Sequence, residues 1–200
     1  MIAIGRWLRV SGVVAALSVA AGGAGAQTWT ADMSGPAESP ANNSPGTGHA
    51  EFTLAGNNLS VFITFQNLLA GTTASHIHCC TASPFTGVAG IATVVPTFTD
   101  FPLGVTSGTY QRIFDLTDAS SFNPAFIAAN GGTVEGARAA LVAGMNAGDA
   151  YVNVHSAQFP AGEIRGFLVT VPEPGTLTLL GAGLAVLGTV AKRRREGRGA

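Results

Sequence analysis

Lysine is almost missing from this 200-residue chain; the one example, Lys192, lies in the terminal "KRRR" run. Charged residues of any kind make up 10%. Between residues 27 and 171 there is no lysine at all, and three arginines (Arg112, Arg138, Arg165) face nine acids (Asp32, Glu38, Glu51, Asp100, Asp115, Asp118, Glu135, Asp149, Glu163), which leaves a net charge of −6. No basic patch exists there to neutralise phosphates, which excludes nucleic-acid binding. The chain also lacks G-x-S-x-G, H-E-x-x-H and P-loop patterns, so those hydrolase, metallopeptidase and nucleotide-binding classes have no support. No linker, internal repeat or long charge run divides residues 27–170, and about 145 residues suit one domain with a sizeable core. Cysteine occurs twice and histidine four times. Four of those six residues crowd into "HIHCC", residues 76–80.

The ends are unlike the middle. Arg6 and Arg9 precede an apolar run over residues 10–21, and Ala24-Gly25-Ala26 follows it. A basic segment, a short apolar core and an A-x-A site form a secretory signal peptide over residues 1–26, cut after Ala26 by signal peptidase. At the other end, residues 176–191 form an apolar stretch followed at once by Lys192, Arg193, Arg194 and Arg195. Sixteen helical residues reach about 24 Å against a bilayer core of about 30 Å, so this transmembrane helix spans with local thinning and snorkelling of its basic flank. The basic cluster stays cytoplasmic and everything before Pro172 lies outside. "VPEP" (with Pro172, Glu173 and Pro174), the apolar helix and the arginine cluster together resemble the PEP-CTERM sorting signal over residues 171–200. That resemblance implies a transient membrane anchor, cut near Pro172, Glu173 and Pro174 by an exosortase-type enzyme.

Strand patterning is clear in the first half. Trp29, Ala31 and Met33 alternate with polar neighbours, as do Ala50, Phe52 and Leu54, and then Leu59, Val61, Ile63 and Phe65. A period of two with one apolar face predicts an antiparallel meander. Further strands are expected at 75–79, 88–95, 109–116, 150–155 and 164–169. Val134, Ala137, Leu141 and Met145 have helical spacing, with Thr133 as N-cap. "SGPAESPANNSPGTG" (residues 34–48) reads as a loop. The fold class is therefore all-β, a Greek-key sandwich or barrel with one or two short helices in a connection, plus hydrophobic helices at both termini.

Residues two apart on a strand share a face. His76 and His78 therefore point one way, and in "AYVNVHS" His155 lies opposite Val152 and Val154, alongside Tyr151 and Asn153. With the apolar sides inward, all three histidines are expected on outer faces, as is His49. Three converging imidazoles form a common ligand set for copper or zinc, so His76, His78 and His155 are the candidate metal ligands. Glu163 is a weaker candidate, as ligand or as acceptor for a histidine N–H, and reads first as the ion-pair partner of Arg165. For Cys79 and Cys80 three readings stand: a vicinal disulfide favoured by export, thiols on a soft metal, or burial and intermolecular pairing. No catalytic residues emerge.

"SHIH" with "AYVNVHSAQFPAGEIRGFL" and the looser "MSGPAESP" resembles the CHRD domain, first named from chordin, over about residues 28–169. The resemblance implies a compact extracellular β domain with no established catalysis; many members carry glycine after "HIH", where this chain has Cys79 and Cys80. A more distant similarity, to copper/zinc superoxide dismutase, implies His76, His78 and His155 as copper ligands, although no histidine-rich zinc loop is present. Taken together, the chain is expected to be an exported, transiently anchored protein, not an enzyme. Its role would be binding or structural at the cell envelope or extracellular matrix, with extracellular polysaccharide or matrix proteins as partners. The alternatives are a copper- or zinc-binding module and a copper-dependent redox enzyme.

Overall fold

The computed structural model describes residues 25–172, 175 and 181–190. The body of the expected signal peptide, Glu173, Pro174 and residues 176–180 and 191 of the expected transmembrane helix lie outside the described residues. Residues 181–190 are helical and exposed, and among the described residues no helix is long and apolar enough to cross a membrane.

The alternating segments become strands where the pattern places them. β1 (Gln27–Ser34), β2 (Thr47–Ala55) and β3 (Asn58–Gln66) form the meander. β2 and β3 are joined by a two-residue turn in which Gly56 has φ +61°, the arrangement of a type II′ hairpin, which glycine adopts without steric cost. β4 (Thr72–His78), β5 (Gly108–Asp115), β6 (Tyr151–Ser156), β7 (Ile164–Phe167) and β8 (Val169–Val171) complete one antiparallel sheet. Its order is β4-β6-β7-β1-β2-β3-β5, with β8 also on β1. The protein is thus mostly β, as its patterning indicates, with a few short helices.

The connectivity requires the sheet to curl. β3 and β4 stand five strand intervals apart, about 24 Å in a flat sheet. The link between them, residues 67–71, reaches only about 20 Å when extended. The sheet bends into a half-barrel that brings these strands within the loop's reach. The buried face of β1–β3 fills the concavity, with Trp29, Phe52 and Ile63 fully enclosed.

Two segments close the open side. The connection over residues 79–107 sends Phe98 and Phe101 into the core, where Phe101 stacks on Phe65 with ring centroids 5.6 Å apart. The other is helical. α1 (Pro124–Ala129) is capped by Asn123, and α2 (Val134–Ala147) by Thr133, whose hydroxyl accepts from the Gly136 N–H. α2 ends at Gly148, φ +77°, and buries Ala137, Leu141 and Met145, the spacing its sequence shows. Asn146 on α2 accepts the Trp29 indole N–H, fastening the helix to the first strand.

One expected strand, over 88–95, does not form. Gly87 at φ +81°, Gly90 and Pro96 interrupt it, and the segment reaches its neighbours only through single bridges, His78 to Ile91 and Thr93 to Phe122. It is a loop laid over the β4 edge. Replacing Leu141 by alanine should cost about 2–5 kcal/mol by chemical denaturation, whereas Ile113→Ala, on the outer face of β5, should stay within about 0.5 kcal/mol.

Candidate metal centre

β4 and β6 are hydrogen-bonded neighbours with His76 opposite Asn153, His78 opposite Tyr151 and Ala74 opposite His155. This register puts the three imidazoles on the sheet face opposite Ile77, Val152 and Val154, and brings segments about 75 residues apart in sequence together. The potential ligand atoms of His76, His78 and His155 all lie within 4.8 Å of one another. The side shared by the histidines is as expected; its exposure is not. His76 and His155 are buried at 3% and 8% exposure, because the loops at 79–97 and 157–162 fold over that face. His49 stays apart, its Nδ1 2.7 Å from Asp32 Oδ1 on an exposed surface.

Those covering loops set the chemistry of the rings. His76 Nδ1 lies 3.2 Å from the Pro96 carbonyl, His78 Nδ1 2.8 Å from that of Ala89, and His155 Nδ1 3.0 Å from that of Pro160. A carbonyl oxygen only accepts, so each Nδ1 carries the proton and each Nε2 is left with a bare lone pair. The Nε2 atoms of His76 and His155 nevertheless sit 2.9 Å apart, and His78 Nε2 is buried with no hydrogen-bond partner. Two lone pairs at that distance repel unless a cation or proton lies between them. Protonation is opposed by the surroundings. Burial, followed by the like charge of its neighbours, lowers His76 from 6.5 to about 3. Burial lowers His78 to about 4 against the Ala89 hydrogen bond, and it also lowers His155. At neutral pH the cluster is therefore three neutral nitrogen donors.

Sequence reasoning placed Asn153 and Tyr151 on the histidine face and gave them no role. Asn153 Oδ1 lies 3.0 Å from His155 Nε2, so one more lone-pair atom faces the same point. The Tyr151 ring stacks on His78, 4.7 Å between centroids and 5° between planes. Arg165 rests 4.8 Å from the Tyr151 centroid and donates to the carbonyls of Ala37 and Gly87. It thereby ties two loops down across the site.

The expected Glu163–Arg165 pair is replaced by another. Arg165 lies 3.8 Å from Glu38, a residue inside the loop at 34–48 that carried no sequence signal. Burial, against the pull of Arg165 and the Ser39 N–H, raises the Glu38 carboxyl from 4.5 to about 7. Glu163 is fully buried and is not among the grouped ligands. Its Oε1 accepts from Ser44 Oγ and the Leu69 N–H, both at 2.6 Å, so it latches the loops around those two residues. Cys79 and Cys80 are joined as a disulfide, with α-carbons 3.0 Å apart across a cis peptide bond. It abuts α2 at Gly144, where a β-carbon would come within 2.5 Å of both sulfurs.

The register that unites "HIH" with "YVNVH", and the turn from Pro160 to Gly166 that fixes His155, extend over the same span as a family match. Residues 29–168 match the CHRD domain. The chain belongs to the CHRD domain family. Residues 170–195 match the PEP-CTERM protein-sorting motif, so this CHRD protein is exported, sorted to the cell surface and handled by an exosortase. No curated protein and no solved structure matches it. Of the expected cleavage residues, Ala26 directly precedes β1 and Pro172 directly follows β8.

The titrations give this domain a signed pH dependence. Depressed histidines take up protons only on unfolding between about 4 and 6.5, so each stabilises the metal-free fold above that window and is lost as pH falls through it. Raised Glu38 acts oppositely between 4.5 and about 7. His76 and His78 already outnumber it, so stability should rise from pH 4 to 6.5, at about 1.4 kcal/mol per pH unit for each net proton. His76→Gln should flatten that slope and Glu38→Gln steepen it, as read by urea denaturation across the range.

Proposed function

We propose that this exported CHRD protein is a copper- or zinc-binding module whose ligands are the Nε2 atoms of His76, His78 and His155, with Asn153 Oδ1 beside them. The observation that carries the reading is the 2.9 Å approach of two imidazole nitrogens whose other ring nitrogens both donate to carbonyls. A metal with bonds of about 2.05 Å separates its nitrogen ligands by about 2.9 Å at a right angle and about 3.4 Å at the tetrahedral angle. His76 and His155 already meet that requirement. His78 completes the set by a ring movement of about an ångström. Neutral imidazoles suit both metals, and the depressed basicity of the cluster removes proton competition at neutral pH.

The role is binding or structural at the envelope or matrix rather than catalytic. Burial of His76 and His155 under two loops favours a closed site, and catalysis at a metal needs an open coordination position. For the same reason the superoxide-dismutase-like reading of a Greek-key copper barrel is the weaker one. Its extra histidine would have to be His49, which is engaged with Asp32 on another surface. Extracellular polysaccharide and matrix proteins are the partners that surface sorting suggests.

Purified residues 27–171 should bind one copper or zinc per chain by elemental analysis. His76→Ala or His155→Ala should weaken binding by more than about 100-fold, and His49→Ala should not change it. Metal at 100 times its dissociation constant should stabilise the fold by about 2.7 kcal/mol. Absence of stoichiometric metal, or full retention in His76→Ala, would contradict the proposal.

A further inference from the structure

β8 lies where two parts of the chain meet. The CHRD match ends at residue 168 and the sorting-motif match begins at 170, so two of the three β8 residues belong to the sorting motif. They are nonetheless built into the folded domain. Thr28 pairs with Val171, Trp29 with Thr170 and Thr30 with Val169. Trp29 is fully buried, so this ladder exists only once the core around β1 has formed.

Only one edge of β8 is used. It pairs with β1 alone, and among the described residues no backbone hydrogen bond other than those to β1 joins residues 169–171. In an antiparallel strand, alternate residues direct their N–H and C=O groups away from the partner, so β8 presents open pairing groups along its outer side. Val169 and Val171 are 52% and 42% exposed. Exposed apolar edges are features that soluble proteins ordinarily blunt with charge or proline. Here the proline comes only afterwards, as Pro172, which lacks an N–H and cannot extend the ladder.

We propose that the outer edge of β8 is the docking site through which the exosortase-type processing enzyme engages this protein, by adding a strand of its own to β8. An extended edge of one domain is completed by an extended segment of another through main-chain hydrogen bonds, with alternate side chains supplying selectivity. Two features favour the processing enzyme as occupant. The edge runs without a break into the sorting motif, and its last paired residue directly precedes Pro172. Sorting is thereby coupled to folding, since an unfolded domain displays the motif without the edge. The proposal rests on the sorting motif and is independent of the metal site.

Val169 separates edge from motif, because it lies in β8 but outside the residues matched to the motif. The test uses the full-length precursor, produced with an exosortase-type enzyme, with anchor removal followed by gel mobility. Val169→Lys should slow processing by about tenfold or more, with thermal stability close to that of the parent. Leu103→Lys, at an equally exposed loop position, should be processed normally. A photo-crosslinking residue at 169 should capture the processing enzyme. Unchanged processing of a stably folded Val169→Lys, or crosslinks to a second copy of this chain alone, would overturn the proposal. Should Val169→Lys prove unstable, Val169→Thr, which keeps strand propensity and removes the apolar contact, carries the same expectation at smaller amplitude.

Discussion

Three ring N–H groups donating to three backbone carbonyls, those of Pro96, Ala89 and Pro160, govern the rest of this structure. Each bond sets a tautomer, and together they turn three lone pairs inward to one point. The carbonyls belong to loops, not strands, so the covering segments at 79–97 and 157–162 hold the chemical state of the site as well as shielding it. Burial then keeps the rings neutral. Without those carbonyls the same three histidines would be polar residues on a sheet, free to bond through either nitrogen.

Holding those loops is the work of a second group of side chains. Arg165 reaches Ala37 and Gly87 from β7 while lying against Tyr151, and Tyr151 in turn stacks on His78. Glu163 fastens the loops around Ser44 and Leu69. Both charged residues come from the "GEIRG" segment, so this short turn and strand organises both the loops around Ser44 and Leu69 and those over the metal centre. The Cys79–Cys80 disulfide follows His78 directly and rests on α2 at Gly144. It packs the end of the ligand-bearing strand against the helix that closes the core.

Much of this was legible in the chain. The period-two pattern of Trp29 to Met33, Ala50 to Leu54 and Leu59 to Phe65 set β1, β2 and β3, because one buried face leaves a strand a single acceptable register. The "HIH" and "NVH" alternation placed His76, His78 and His155 on one side. What alternation does not carry is which loops lie over that side, and the outer face proved to be an interior. Residues 88–95 read as strand because their composition is apolar, whereas Gly87, Gly90 and Pro96 make them a covering loop. Glu38 was invisible within a polar, proline-rich segment, since its partner Arg165 lies far along the chain and only the packed loops bring them together. Glu163 looked like a ligand or an arginine partner by spacing alone, and the packing of the loops at Ser44 and Leu69 against the start of β7 gave it to them instead.

The metal centre requires that all three imidazoles carry their proton on Nδ1 and present bare Nε2 atoms to one another. Long-range nitrogen–proton correlation spectra of the metal-free domain, labelled with nitrogen-15 and recorded at neutral pH, report this ring by ring. For His76, His78 and His155 the account predicts a protonated Nδ1 and an unprotonated Nε2, with the Nε2 signals moving on addition of copper or zinc. A protonated Nε2 on any of the three, or an imidazolium among them at that pH, would contradict it.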